Sequence, residues 1–92
     1  MKLRTVYTYI LQKFTFRLYV MRNDDFYLKL GINIKNKRNA LGMSQQDLAD
    51  KVNLSLNFIG KIEVAFSKPS LNTVINIANA LDITVAELCK FD

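Results

Sequence analysis

Apolar positions recur with helical spacing through most of this chain, and the period is clearest between Ser44 and Glu63. There Leu48, Ala49, Val52, Leu54, Ile59 and Ile62 are spaced to close a small wedge between two short helices. Ser44 precedes the first with Asp47 three positions on, close to a capping box, although the acid is Asp and not Glu or Gln. Ser55 opens the second in the same way. Between them Asn53 is one of the few non-glycine residues that accepts the left-handed backbone of a sharp turn. Ala49 is small enough to let the second helix cross closely over the first. Two helices meeting steeply across a turn of about three or four residues make a helix-turn-helix, whose second helix can be laid into a DNA major groove.

Upstream, the chain turns helical from Asp24 or Asp25, with Phe26, Leu30, Ile34 and Leu41 on one stripe. Gly31 weakens the early turns by roughly 0.5–1 kcal/mol relative to alanine, and Gly42 stands where a left-handed cap is expected. Lys35 and Lys37 on this helix read as a solvated face. Downstream of Glu63, Ala65 can take a left-handed cap only at a cost of roughly 1 kcal/mol, so the helix is expected to run on or end differently. Pro69 stops any helix before it, and Ser70 caps the next. That helix spans about residues 71–81, with Leu71, Val74, Ile75, Ala78 and Leu81 on one face. Thr84 caps a short last helix with Glu87 completing a full capping box, and Val85, Leu88 and Phe91 offer a small apolar surface.

The first twenty residues, MKLRTVYTYILQKFTFRLYV, fit this scheme poorly. Leu3, Val6, Tyr7, Ile10, Leu11, Phe14, Leu18 and Met21 recur at helical spacing, yet the composition favours strands and residues 15–20 nearly alternate. Strand is the preferred reading. Gln12, Lys13 and Arg17 interrupt the apolar run, which is neither a signal peptide nor a membrane span. Residues 1–22 are therefore a basic, apolar extension: either a dimer arm, or an upstream addition to a chain that starts naturally at Met21. Residues 23–92 form the compact domain.

Composition changes this picture in two respects. The chain has no histidine and a single cysteine, Cys89. That excludes His-based catalysis, a cysteine metal site and an internal disulfide, and fits a reduced, cytoplasmic setting. Cys89 is expected to be a small buried hydrophobe. No enzyme, metal or cofactor is implied. The net charge of +5 sits entirely in residues 1–22, through Lys2, Arg4, Lys13, Arg17 and Arg22, because residues 23–92 balance eight basic against eight acidic side chains. Bulk charge therefore does not argue for DNA; only the placement of residues does.

Ile59 and Ile62 must face inward, which turns Leu56, Asn57, Gly60 and Lys61 outward. Asn57 has the chemistry to pair with adenine, Lys61 with guanine or phosphate, and Leu56 with a thymine methyl. Phe58 reads as packing. Lys68 is a further candidate for a phosphate, and the free amides around Leu71 and Asn72 are a natural phosphate seat.

The pieces IKNKRNALGMSQQDLADKV, SLNFIGKIE, KPSLNTVINIANALDI and TVAEL, within residues 34–89, resemble the phage-repressor/Cro (XRE, lambda repressor-like) helix-turn-helix family. The resemblance implies an all-α domain of five helices, here with an N-terminal extension. It implies that Gln45, with Gln46 and Ser55 beside it at the two helix starts, approaches a DNA phosphate, and that Arg38 pairs with Glu63 to lock the helices. Relatives often carry glycine at the position of Ala65 and a polar residue at that of Phe66, so the contacts of this loop are expected to differ. The expected function is a sequence-specific, dimeric transcriptional repressor that inserts residues 55–64 in double-stranded DNA. The alternative is a protein-interaction module, such as an antitoxin that binds a toxin, with DNA binding secondary.

Overall fold

The computed structural model describes residues 23–91. Among these are five helices and no strand: α1 Asn23–Ala40, α2 Gln45–Val52, α3 Leu56–Glu63, α4 Leu71–Ala80 and α5 Val85–Leu88. The expected strand or dimer arm within residues 1–22 lies outside the described residues. α1 packs on α3 and α5, α2 on α3 and α4, and α4 on α5.

Helix starts follow the serine and threonine signals. The Ser44 hydroxyl accepts from the Asp47 N–H at 2.9 Å while the Asp47 carboxylate accepts from the Ser44 N–H at 2.9 Å, so the aspartate closes a complete capping box. The Ser44 backbone and hydroxyl bonds hold the Asp47 carboxyl below the usual carboxylate range. This cap is therefore intact at neutral pH and is lost as pH falls through that lowered value. Ser55, Ser70 and Thr84 accept from the amides of Phe58, Thr73 and Glu87. At Thr84 only that half of the expected box forms, and Glu87 is exposed.

Helix ends share one device. Gly42, Asn53, Ala65 and Asp82 all have left-handed backbone, with φ of 70°, 57°, 62° and 58°. After each, the next amide reaches back five residues: Met43 to Arg38 at 3.0 Å, Leu54 to Ala49 at 2.9 Å, Phe66 to Lys61 at 2.8 Å and Ile83 to Ala78 at 3.0 Å. These are Schellman caps, which satisfy the last carbonyls of each helix. Ala65 thus takes the conformation its side chain disfavours, and α3 ends where a glycine would have ended it. Ala65→Gly is expected to stabilise the domain by up to about 1 kcal/mol, relief of left-handed strain outweighing the looser unfolded chain. Thermal melting checks this, and a lower midpoint would mean that the Ala65 methyl packs usefully.

The core is Leu30, Ile34, Leu48, Ala49, Ile59, Ile62, Val74, Ile77, Ala78, Leu81 and Leu88. Three sequence expectations shift. Leu41 is exposed, because the Gly42 cap turns the chain away before its side chain reaches the core. On α4, Leu71 and Ile75 are exposed and Ile77 is buried: the face toward α2 and α5 is rotated from the one periodicity suggested. Val85, Leu88 and Phe91 offer less apolar surface than expected: Leu88 is fully buried and the other two are half-buried against the core, with Phe91 edge-on to Phe26 at 5.3 Å. Asn33 holds this end down by donating to the carbonyls of Leu88 at 2.8 Å and Lys90 at 3.0 Å.

Candidate nucleic-acid interface

The site begins with what fixes α3. Gly31 lies where α1 crosses the end of α3 so closely that a Cβ there would stand 2.5 Å from the Glu63 carbonyl oxygen and 2.6 Å from that of Ile62. Beside the crossing, the Arg38 guanidinium forks onto Glu63: Nε donates to Oε2 at 2.7 Å and Nη2 to Oε1 at 3.0 Å. Both residues are buried, at 7% and 5% exposure. The remaining Arg38 nitrogen donates to the Met43 carbonyl at 2.7 Å and to Asn39 at 3.1 Å. Hydrogen bonding to Glu63 pushes the Arg38 pKa up against the opposing effect of burial, and the Glu63 charge adds to it. Glu63 Oε1 also accepts from Gln45 Nε2 at 3.0 Å. One buried pair thereby ties α1, the Gly42 turn, α2 and α3 together, and it leaves no buried side-chain polar atom unpartnered among the described residues.

In front of this pair is an open concavity of about 560 Å³ between α2 and the outer face of α3. It brings together five of the sequence-derived candidates: Gln45, Leu56, Asn57, Gly60 and Lys61. Gly60 lies beneath Gln45, whose amide would be 3.8 Å from a Cβ there. Gln45 therefore spans from Glu63 across Gly60, with one amide proton already given to the carboxylate. The rest of the concavity is lined by Val64 and Phe66, neither of which the sequence assigned to DNA. Their exposure was the missing signal, and it depends on the Ala65 turn.

The other candidates stand apart from the concavity. Gln46 is exposed and donates to Asp50 Oδ1 at 2.8 Å. Ser55 is occupied as the α3 cap. The Lys68 ammonium lies 5.7 Å above the Tyr27 ring, in the loop between α3 and α4. Asn72 is exposed in the first turn of α4. Phe58 packs against the core, as expected, and so in part does Cys89, whose thiol burial pushes its pKa up. Among the described residues no group of side chains could hold a metal ion, and no helix is long and apolar enough to cross a membrane.

Residues 34–88 match the helix-turn-helix family model HTH_3. The chain is 32% identical over 62 residues to the transcriptional repressor RstR of the cryptic phage CTXphi in Vibrio cholerae serotype O1, covering 67% of this chain and 55% of that protein. It spans about half the length of the curated relatives it matches. Among solved structures it resembles the restriction-modification controller protein C.AhdI from Aeromonas hydrophila. That likeness has 34% identity and a TM-score of 0.66, over 67% of this chain and 94% of that one. It also resembles SinR, the master regulator for biofilm formation, solved in complex with DNA, at 27% identity and a TM-score of 0.62, over 66% of this chain and 98% of that one. With its two capped helices, their tight Asn53 turn and the match over residues 34–88, the chain belongs to the helix-turn-helix family to which the phage-repressor type of domain gives its shape.

Proposed function

We propose that this protein is a sequence-specific DNA-binding transcriptional regulator, a homodimeric repressor that lays α3 in the major groove. The observation that carries the reading is the convergence of Gln45, Leu56, Asn57 and Lys61 on one concave face. That face combines an amide able to bond adenine, a cation suited to guanine or phosphate, and an apolar side chain suited to a thymine methyl. The amides at the start of α2 and the Gln45 side chain approach phosphate, aided by the positive end of the helix dipole. Lys68 and the start of α4 add further backbone contacts. A two-fold dimer presents two α3 helices to half-sites about one helical turn apart.

The experiment is a mobility shift with DNA from upstream of the protein's own gene and with random duplex as the reference. Asn57→Ala is expected to cost roughly 1–3 kcal/mol on the cognate site and little on random DNA. Lys68→Ala should weaken both about equally and reduce the salt slope by about one. Equal losses on the two duplexes for Asn57→Ala would remove that residue from readout. Failure of the parent chain to prefer any duplex would overturn the proposal itself.

A further inference from the structure

Readout by Asn57 and Lys61 leaves a large apolar surface beside them unused. Leu56 is 45% exposed, Val64 69% and Phe66 77%, and all three line the same concavity. Phe66 is held in this position by the fold. The Ala65 turn bonds its N–H to the Lys61 carbonyl at 2.8 Å, and its ring sits under the Lys61 ammonium at 5.7 Å. The residues in the equivalent place after the other three left-handed turns, Met43, Leu54 and Ile83, all fold onto the core. Phe66 alone among the four faces outward. An exposed apolar group of this size, rimmed by polar side chains, marks a contact surface.

We infer that Leu56, Val64 and Phe66 form a trough for the C5 methyl groups of thymines, so that methyls are read by the turn after α3 as well as by α3 itself. The inference rests on the DNA-binding reading above. Its chemistry follows from the groove: the thymine methyl is the apolar feature of the major-groove edge, whereas every other base presents donors and acceptors there. Asn57 and Lys61, on the rim of the same concavity, are placed for those polar edges. A groove edge that alternates methyls with polar atoms therefore matches the alternation on this face. Val64 and Phe66 add an apolar surface that a helix contacting bases through Asn57 and Lys61 alone would not need.

The test uses the full chain and the duplex it enriches from a random-sequence pool. Each thymine of that duplex is replaced in turn by deoxyuridine, which removes the methyl and keeps the pairing. At one or more positions affinity should fall about 3- to 5-fold, the worth of one buried methyl-sized group. In a Val64→Ser, Phe66→Ser chain, whose substitutions are on the surface, the same replacement should change affinity less than about twofold, with the salt slope kept. Insensitivity of the parent to deoxyuridine at every position would overturn the trough and leave DNA binding standing. Undiminished sensitivity in the double variant would confine methyl contact to Leu56 and also overturn it. Loss of self-association by the double variant in sedimentation, with deoxyuridine silent, would assign the patch to a second copy of the chain instead. A pool from which the parent enriches no sequence would sink the DNA-binding reading, and the trough with it.

Discussion

Arg38→Ala should cost most of the stability of this domain, about 3–5 kcal/mol. The substitution leaves the Glu63 carboxylate, 5% exposed, without its counter-charge and deprives the Met43 carbonyl of its donor. An exposed ion pair would contribute only about 0–1 kcal/mol, but here both partners are buried and the fork is bidentate. For a domain of this size total stability is of order 5–10 kcal/mol, so the variant should melt some 15 °C or more below the parent. Arg38→Lys should rescue little, since an ammonium cannot fork onto two oxygens while also reaching Met43. Replacing both partners by apolar residues of similar volume should recover more stability than either single change, because no lone charge remains buried. Urea unfolding followed by circular dichroism measures all four chains. An Arg38→Ala midpoint within about 1 kcal/mol of the parent would mean that the pair behaves as a surface pair and does not lock the helices.

Gly31→Ala should also be strongly destabilising, by roughly 1–3 kcal/mol or more, although alanine is the better helix former by about 1 kcal/mol. The added methyl would meet the backbone oxygens of Glu63 and Ile62 at 2.5 and 2.6 Å, and backbone cannot swing aside as a side chain can. α1 and α3 must separate, which also stretches the Arg38–Glu63 fork spanning the same two helices. The two substitutions should therefore be less than additive. Gly60→Ala is the internal control. Its Cβ meets only the Gln45 amide at 3.8 Å or beyond, so it should stabilise the fold by about 0.5–1 kcal/mol. If Gly31→Ala proves as stable as Gly60→Ala, the close crossing is not a constraint.

These glycines also mark where sequence reasoning ends. Local chemistry was legible: Ser44, Ser55, Ser70 and Thr84 start helices and Gly42 and Asn53 end them, because each acts on neighbours within a few residues. The inward wedge of Leu48, Ala49, Ile59 and Ile62 was equally legible from spacing. Gly31 read as a weak point in α1 because its reason lies far along the chain, in the Ile62 and Glu63 carbonyls at the end of another helix. Ala65 read as a helix that runs on or ends by another device, since its own preference is local and the turn that overrides it is not. On α4, periodicity turned Ile75 inward, whereas the neighbouring helices bury Ile77 in its place. At the candidate site, the outward set on α3 followed from the inward one. The Gln45 bond to Glu63 and the apolar rim of Val64 and Phe66 did not, because both need α2, α3 and the turn placed together.

The backbone contact at Gly31 has a mechanical meaning. At that point no side chain cushions α1 against α3, and the guanidinium fork joins the same two helices. A rotation of either helix at this joint would press backbone directly on backbone. If the domain binds DNA as proposed, it meets the duplex with little give at this joint, and more of any mismatch in curvature or groove width falls to the duplex. Operator selection would in that case depend on how cheaply a sequence bends as well as on the bases it displays.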